Sequence, residues 1–352
     1  MIEIDGSMGE GGGQIVRTAL ALSMCTGAAV TLRNIRARRS KPGLRAQHLA
    51  AVRAATTICA ANTTAAAIGS DRLTFEPRPV QPGRYEVDVG TAGSVMLVLQ
   101  TILPPLSLCA GSSEVLLRGG THNPRAPTFE FIRDAYLPLV RHLGFDAQIA
   151  IDRYGFYPRG GGLVRARIDP WTPRPALELL VRGAVSARSA NVLIAGLPEH
   201  IAQRELGVLR DRLGLSGDDC STNVVTAHGA GNAVHVRIDC TEITTVFAGF
   251  GSRGVPAEQV ADHVAHDVEN YLNANVAVDS QLADQLLVPL ALAAGGQFST
   301  LRPSAHTGTN AAVIREFLPV DYEPRELADE RWTIALRPRA TLPDRPPPEL
   351  RR

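Results

Sequence analysis

The chain has 352 residues, a formal net charge of +1, a mean hydropathy of +0.00, 45% hydrophobic residues and 5% aromatic residues. This composition is typical of an α/β protein with room for two domains and a sizeable core. The longest apolar runs, near 95–99 and 286–294, are too short to span a bilayer, so we expect no membrane association.

The cysteines and the N-terminus predict the cellular compartment. The five cysteines are scattered, and no pair has the spacing of zinc ligands or of a redox motif. The chain begins with a strand-like segment and not with a signal peptide. We therefore expect reduced thiols and a cytoplasmic protein.

The first predicted elements are a strand at 2–5, a glycine run at 11–13 and an apolar helix that follows it. Glycines at a helix start let the backbone approach a ligand closely and leave N–H groups free for an anion. The same order of strand, small or polar turn and apolar helix recurs at 85–100 and at 276–287. The third copy lies roughly 100 residues later than a regular repeat predicts. The pattern therefore indicates duplicated α/β subdomains that share one core, with an insertion between the second and third copies.

The charge distribution near the N-terminus is uneven. No acidic residue occurs between Glu10 and Asp71. The cations in this interval are Arg17, Arg33, Arg36, Arg38, Arg39, Lys41, Arg45 and Arg53. A site for a polyanion and a solvated basic face explain this pattern equally well. Lys41 is the only lysine, and its surroundings match neither a lysine nucleophile nor a phosphate-loop lysine.

The next elements are a helix at 44–58 and the helix of the second copy, which Pro104-Pro105 should kink or end early. A polar loop at 118–127 follows, with Thr128 as the N-cap of a helix to about 143. The triple glycine at 160–162 indicates that the backbone passes close to another element or to a ligand.

The segment 184–276 has a different pattern of predicted elements. Its strands and two helices indicate a separate, compact α/β unit. It carries five histidines without a coherent set of metal ligands, so we expect no metal site among them. A helix at 282–293, a strand at 297–301 and a polar loop at 302–310 before a helix at 311–317 then continue the main unit. The tail 337–352 is rich in Pro and Arg and is predicted to be disordered.

Several motifs are spread over nearly the whole chain. They are Asp5-Gly6, Glu10-Gly11-Gly12-Gly13-Gln14 with Arg17, Arg36–Lys41, Gln47-His48, Gly93-Ser94 through Leu99-Gln100-Thr101, Tyr157-Pro158-Arg159-Gly160-Gly161-Gly162, Leu282-Ala283-Asp284-Gln285 and His306-Thr307-Gly308-Thr309-Asn310. The triple-glycine and His-Thr-x-Thr-Asn motifs together are specific. On these motifs the sequence resembles the RNA 3′-terminal phosphate cyclase family.

The resemblance implies a fold of the α/β (α+β) class. Its large catalytic domain, 1–183 with 277–336, would consist of three repeated βαβαββ units, similar to the C-terminal domain of bacterial translation-initiation factor three. A smaller α/β domain, 184–276, would be inserted in the third repeat.

The resemblance also implies an activity. Such enzymes use ATP and a divalent metal, Mg²⁺ or Mn²⁺, to convert an RNA 3′-phosphate into a 2′,3′-cyclic phosphate. A histidine attacks the α-phosphorus of ATP, AMP passes to the RNA 3′-phosphate, and the neighbouring 2′-OH displaces it. Activation by AMP splits one difficult step into easier ones. The family's nucleophile corresponds to His306.

The other implied site residues fall into four groups. The catalytic residues besides His306 are Arg17 and Arg39. The nucleotide-binding positions are Gln100, Gln281, Leu282, Ala283, Asp284 and Gln285. The positions for substrate phosphate or RNA are Arg36, Arg39, Arg45, Gln47, His48 and Arg125, since guanidinium groups bind phosphate oxygens in pairs. The candidate metal ligand is Glu10.

Two residues depart from the family's pattern. Met96 stands where a polar residue is frequent, and Gln281 stands where an aromatic residue or histidine is common. A glutamine would stack less well against adenine, so nucleotide preference could be broader.

Three alternative functions would also explain part of these sequence features. One is a non-catalytic cyclase-like protein of ribosome assembly, which His306 in its motif and the retained Arg17 argue against. Another is an enolpyruvyl transferase built from similar repeats, which has no need of the motif at 306–310. The third is an RNA-binding protein, which the lack of aromatic residues in the basic loop disfavours.

Overall fold

The computed structural model describes residues 1–327 and 330–339 and shows a mixed α/β protein. The helices are α1 (Gly13–Thr26), α2 (Ala46–Cys59), α3 (Val95–Ser107), α4 (Phe129–Phe131), α5 (Leu137–His142), α6 (His200–Leu213), α7 (Ala257–Ala274), α8 (Ser280–Leu292) and α9 (Ala305–Phe317). A π-helical turn, Ile132–Tyr136, joins α4 to α5. Within the described ranges, none of the helices combines the length and apolar character needed to cross a membrane.

The strands form four sheets of four strands each within the described residues. The strands are β1 (Ile2–Asp5), β2 (Val30–Arg33), β3 (Asn62–Thr64), β4 (Leu73–Glu76), β5 (Arg84–Asp88), β6 (Ser113–Gly119), β7 (Ala147–Arg153), β8 (Gly162–Ile168), β9 (Leu177–Leu179), β10 (Val185–Ala195), β11 (Cys220–Val224), β12 (Gly231–Cys240), β13 (Thr244–Phe250), β14 (Gly296–Thr300), β15 (Val320–Glu326) and β16 (Trp332–Pro338).

Three of these sheets have the same layout. Their strand orders are β1-β2-β4-β3, β5-β6-β8-β7 and β9-β14-β16-β15. In each sheet the first two strands are parallel, and the remaining pairs are antiparallel. A parallel pair requires a crossover connection, which α1, α3 and α8 supply in the three sheets. One continuous hydrophobic cluster contains residues from all three sheets and their helices.

The fourth sheet has the order β11-β10-β12-β13 and is covered by α6 and α7, which pack on each other. Its apolar residues form a separate hydrophobic cluster. A small third cluster of Phe156, Leu193, Ala195 and Ala233 lies where this unit meets the rest of the protein. All strands and helices of the unit fall within the segment 184–276.

The prediction of a strand at 276–279 is wrong. Within this segment Val278 makes only an isolated bridge to Thr300. The place beside β14 is taken by β9, which pairs with it in parallel much earlier in the chain. The returning chain instead caps α8, because the side chain of Asp279 accepts hydrogen bonds from the N–H groups of Gln281 and Leu282.

Helix α9 begins at Ala305, six residues before the predicted start. The hydroxyl of Ser304 accepts a hydrogen bond from the N–H of Thr307 and caps the first turn. The motif at 306–310 therefore lies in a helix and not in a polar loop. Helix α3 contains Pro104 and Pro105 in its last turn and continues past them to Ser107, so the prolines do not end it at their own positions.

Strand β16 extends two residues into the tail that was predicted to be disordered, because Arg337 and Pro338 pair with β15. The rest of that prediction, from 340 to 352, lies outside the described residues. The triple glycine serves a close approach between elements. A Cβ on Gly160, which has φ +65°, would lie 2.7 Å from the Cα of Ala92, and one on Gly161 would lie 2.5 Å from Nδ1 of His228.

Candidate active site

A cavity of about 680 Å³ lies where α1, α8 and α9 meet. Each of these helices begins at this cavity, and Gln14, Ser280 and His306 from their first turns line it. A helix N-terminus carries partial positive charge and free N–H groups. No side chain caps the first turn of α1, so its N–H groups are free of such a partner. The cavity is therefore suited to a negatively charged ligand.

The remaining walls come from three other parts of the chain. They are Leu97, Gln100, Thr101 and Pro104 of α3, the segment from Pro124 to Thr128 with Phe131, and the residues Ala248, Phe250 and Ser252 at and after the end of β13. The segment 184–276 thus forms part of the cavity wall. This wall is mixed, with apolar side chains beside the polar ones of Gln100, Thr101, Arg125, Thr128 and Ser252.

His306 is the second residue of α9, and its side chain is 49% exposed. Its Nδ1 lies 3.1 Å from Oε1 of Gln14 and also contacts Oε2 of Glu10. Both neighbours are oxygen acceptors, so Nδ1 carries the hydrogen atom and donates it to Gln14. This tautomer leaves Nε2 with its lone pair, which is the form a nucleophilic imidazole needs.

The orientation of Gln14 is fixed by Asp284. The amide Nε2 of Gln14 donates to both carboxylate oxygens of Asp284, at 2.7 and 2.9 Å, which turns its oxygen toward His306. Burial raises the pKa of Asp284, whereas the hydrogen bond from Gln14 and the charges of His306 and Arg17 oppose this rise. Asn310 donates to the backbone carbonyl of Asp284 at 3.0 Å and so ties α9 to α8.

Arg17 lies in the second turn of α1 and lines the cavity. Burial lowers the pKa of its guanidinium to about 10, and the charge of Asp284 opposes this effect. The group is therefore cationic at neutral pH. Within the described part of the chain its guanidinium makes no hydrogen bond or ion pair, so its donors are available to a ligand.

Glu10 and Arg39 form an ion pair beside His306, in which Nη2 of Arg39 donates to Oε1 of Glu10 at 2.5 Å. The other carboxylate oxygen, Oε2, is buried and faces the Nδ1–H of His306, and it accepts no hydrogen bond from any further described residue. The backbone N–H of Glu10 donates to Oγ1 of Thr309 at 3.1 Å, which holds the glycine loop against α9. A carboxylate has about four acceptor positions, so Glu10 retains capacity to bind a cation as well.

The structure brings four of the six predicted nucleotide positions to the cavity, namely Gln100, Gln281, Asp284 and Gln285. Gln100 donates from its Nε2 to Oε1 of Gln285 at 2.5 Å. The other two positions, Leu282 and Ala283, are buried in the hydrophobic core and do not line the cavity.

His48 is buried beneath the glycine run, away from the cavity. Its Nδ1 accepts a hydrogen bond from the N–H of Arg45 at 3.1 Å, and a Cβ on Gly13 would lie only 2.0 Å from its Nε2. Burial, together with the charges of Arg17, Arg36 and Arg45, lowers its pKa to about 3. His48 is therefore a neutral packing residue that explains why glycine occupies position 13.

The remaining predicted phosphate contacts are dispersed. Arg36 donates to the carbonyl groups of Lys41 and Gly43 and so closes its own loop. Gln47 packs against Gly93. Arg45 is exposed, and Arg125 is exposed at the cavity rim.

The sequence analysis assigned no role to Gln14, Asn310 or Phe250. Gln14 directly follows the glycine run at a helix start, and Asn310 lies one helical turn after His306, so both carried a local signal. Phe250 reaches the cavity from a separate unit, and no local pattern marks it.

Sequence comparisons relate this chain to one family of known proteins. The sequence model of the family "RNA 3'-terminal phosphate cyclase" matches residues 8–323. A protein of that name from Koribacter versatilis (strain Ellin345) is 47% identical over 329 residues, which cover 93% of this chain and 92% of the relative. One from Pseudomonas aeruginosa (strain LESB58) is 48% identical over 321 residues, covering 91% of this chain and 93% of the relative.

A solved structure, the enolpyruvyl transferase NikO from Streptomyces tendae, aligns with 49% of this chain and 33% of its own at 15% identity. Its TM-score of 0.29 is too low to indicate a shared fold. The family match and the curated relatives identify the family of this chain, and it is a family of enzymes. The chain belongs to the RNA 3′-terminal phosphate cyclase family.

Proposed function

We propose that this protein uses ATP to convert an RNA 3′-terminal phosphate into a 2′,3′-cyclic phosphodiester through a covalent AMP intermediate on His306. The observation that carries the proposal is the position of His306. Its Nε2 keeps a lone pair, and the ring lines a cavity where three helix N-termini meet Arg17, a cation without an ion-pair partner among the described residues. A nucleophile next to an anion-binding site is what attack on a phosphate requires.

The cavity suits a nucleoside triphosphate in size and in lining. Its volume of about 680 Å³ falls within the range of small-molecule sites. Apolar side chains and the amides of Gln100, Gln281 and Gln285 offer contacts for a base and a ribose. Arg17 and the N-termini of α1 and α9 offer cationic and N–H groups for the phosphates.

The proposed reaction has three steps. Nε2 of His306 attacks the α-phosphorus of ATP, so an N–P bond forms while the bond to the bridging oxygen breaks and pyrophosphate leaves. A 3′-phosphate oxygen of the RNA then attacks the same phosphorus, which breaks the N–P bond and frees His306. The 2′-oxygen of the terminal ribose finally attacks the 3′-phosphorus, loses its proton and displaces AMP. Gln14 and Glu10 keep the hydrogen on Nδ1 throughout and stabilise the charge that the ring acquires.

Glu10 fits the role of ligand to Mg²⁺ or Mn²⁺. Its Oε2 is buried and keeps a lone pair beside its contact with His306, and a carboxylate oxygen is the ligand type that these ions prefer. The ion, when bound, would neutralise charge on the departing pyrophosphate. Arg39 would hold Glu10 in place through its ion pair with Oε1.

Exposed cations around the cavity support binding of the RNA backbone. Arg45 and Arg125 are exposed, as are Arg38 and Lys41 of the acid-free loop. Such groups contribute a sequence-independent, salt-sensitive attraction to phosphates. His48 and Gln47, which pack against the glycine segments, would support this surface indirectly.

We also propose that the three sheets of common layout are copies of one βαβαββ unit, built from 1–183 and 277–336. Their strand orders and their alternation with helices support this proposal. The segment 184–276 would be an insertion in the third copy, between β9 and α8. Its separate hydrophobic cluster supports an inserted domain.

The test is incubation with α-labelled ATP and Mg²⁺ or Mn²⁺, followed by denaturing electrophoresis. We expect a label that is acid-labile and alkali-stable, as a phosphoramidate is, and no label in His306→Ala. His142→Ala, which alters an exposed histidine of α5, is the matched control and should label normally. Persistent label in folded His306→Ala would exclude His306 as the nucleophile. A wild type that takes up no AMP would favour a non-catalytic member of this fold.

A further inference from the structure

A second cluster of polar side chains lies outside the cavity, where the loop before α4 meets β12. It consists of His122, Glu130 and His235. His122 Nε2 lies 2.6 Å from Oε2 of Glu130, and His235 Nε2 lies 3.4 Å from the same oxygen. The two histidines are only 1% and 4% exposed. Three groups of metal-ligand type therefore converge on one buried point.

Thr121 holds the ring of His122 in place. The Thr121 hydroxyl accepts from the N–H of Gly155 at 2.9 Å and lies 2.8 Å from Nδ1 of His122. Nε2 of His122 is thereby directed at a carboxylate oxygen of Glu130, 2.6 Å away. A nitrogen and a carboxylate oxygen at this distance share a cation, which is either a proton or a metal ion.

His235 distinguishes between these two cations. Both of its ring nitrogens are buried and lack a hydrogen-bond partner among the described residues. A proton shared by His122 and Glu130 would satisfy those two groups and leave His235 unpaired. A metal ion would bind all three, because the ligand atoms lie within 4.8 Å of one another. An unpaired buried polar group is rare in folded proteins, which favours the metal ion.

We propose that His122, Glu130 and His235 bind one zinc-class divalent cation that joins the loop before α4 to β12 of the segment 184–276. Two imidazoles and one carboxylate are a ligand set that Zn²⁺ accepts, with water completing the tetrahedron. Thr121 supports the site by bonding the far nitrogen of His122, as outer partners of zinc-bound histidines do. Tetrahedral binding requires the 2.6 Å contact to open to about 3.3 Å, a small side-chain movement.

The site differs from the carboxylate at Glu10 in ligand type and in place. It contains two nitrogens, which Mg²⁺ does not favour. Its ion would also tie the cavity-wall segment that ends at Thr128 to the unit that supplies Phe250. The inference does not depend on the proposed reaction. The histidines within 184–276 formed no ligand set by themselves, because the other two ligands come from outside that segment.

The test uses the full chain, stripped of metal and then titrated with Zn²⁺ or Co²⁺. We expect one tightly bound ion per chain, with the visible absorption of tetrahedral Co²⁺, and loss of both in His122→Gln and His235→Gln. His263→Gln, at a histidine of α7 outside the cluster, and Glu10→Gln should both retain the ion. X-ray absorption of the zinc-loaded wild type should show two imidazole ligands, a result that needs no variant.

A wild type that binds no Zn²⁺ at micromolar concentration would overturn the proposal. Binding that is unchanged in the two histidine variants would do the same, as would a zinc spectrum with fewer than two imidazoles. Loss of binding in Glu10→Gln alone would move the ion to the other site. Thermal unfolding gives a further readout, since Zn²⁺ should raise the midpoint of the wild type and leave that of Glu130→Gln unchanged.

Discussion

At the scale of single residues, the contact between Glu10 and Arg39 joins the basic loop to His306, the proposed nucleophile. One guanidinium nitrogen of Arg39 donates a hydrogen bond to Oε1 of Glu10, and the other nitrogens are available to a ligand. We expect Arg39→Lys to lower turnover at least about tenfold, because an ammonium is a point charge and cannot reproduce a forked contact. Steady-state RNA cyclisation measures the effect, with Arg315→Lys at the far end of α9 as the control. Equal turnover in Arg39→Lys and the wild type would remove Arg39 from the site.

Gly13 and His48 make a second prediction at this scale. A methyl group at position 13 would lie 2.0 Å from Nε2 of His48, so Gly13→Ala should destabilise the protein by about 1–3 kcal/mol through overpacking. In Gly13→Ala/His48→Ala the methyl group gains space, and the loss should be smaller than the sum of the single losses by at least about 1 kcal/mol. Urea unfolding of all four proteins measures this coupling. Gly207→Ala, a helical glycine with open space around it, should not be destabilising. Additive losses would contradict the contact.

At the scale of elements, the sequence predicted best where the signal is local. The glycine run before α1 and the cap of α4 by Thr128 depend on neighbouring residues, and the structure contains both. The start of α9 also had a local signal, because Ser304 is a strong N-cap residue, but the polar motif after it was interpreted as a loop. The strand predicted at 276–279 failed for a different reason. Its partner edge was already occupied by β9, and local hydrophobicity contains no information on which distant segment pairs first.

In the candidate site, too, the sequence predicted the features that depend on neighbouring residues and not those that depend on distant ones. The helix N-termini and their motifs could be located from the sequence, whereas the wall contributed by Phe250 could not. The cluster of His122, Glu130 and His235 could not be predicted from the sequence either. Its members lie on a loop, a short helix and a strand of another unit. Sequence spacing reports neighbours along one element and does not report where two elements meet.

The pairing of α6 with β12 gives an element-scale prediction of pH dependence. Burial raises the pKa of Glu205 to about 7, partly offset by the hydrogen bond from Asn232. The folded pKa lies above the ordinary glutamate value of 4.5, so the stabilisation is fully present below about pH 4.5 and is lost as the pH rises through 7. The difference between pH 5 and pH 8 should be on the order of 3 kcal/mol for this unit.

Glu205→Gln removes the titration and should flatten this part of the stability profile. Urea unfolding at several pH values, followed by a probe in the segment 184–276, measures the change. Glu199→Gln, at an exposed position beside α6, is the matched control and should keep the slope of the wild type. An unchanged slope in Glu205→Gln would show that Glu205 does not titrate in this range.

At the scale of the whole molecule, two separately packed units share one cavity. His306, Gln14, Arg17 and Glu10 all lie outside 184–276, whereas Ala248 and Phe250 of β13 complete the wall. The chain enters and leaves this segment at nearby points, because Arg182 donates to the carbonyl groups of Tyr271 and Val276. Deletion of 184–276 would therefore remove part of the wall and leave the groups proposed to react in place.

We expect a variant with a short Gly/Ser linker in place of 184–276 to fold and to retain AMP labelling at saturating ATP, because every group assigned to that step remains. The KM for ATP should rise at least about tenfold, since an apolar wall that excludes water is lost. Phe250→Ala in the full chain is the matched point variant and should shift KM in the same direction by a smaller factor. Labelling at several ATP concentrations separates the two effects, and circular dichroism confirms folding. A folded deletion variant without label at any ATP concentration would place part of the reacting machinery in 184–276. An unchanged KM would show that β13 does not contact the nucleotide.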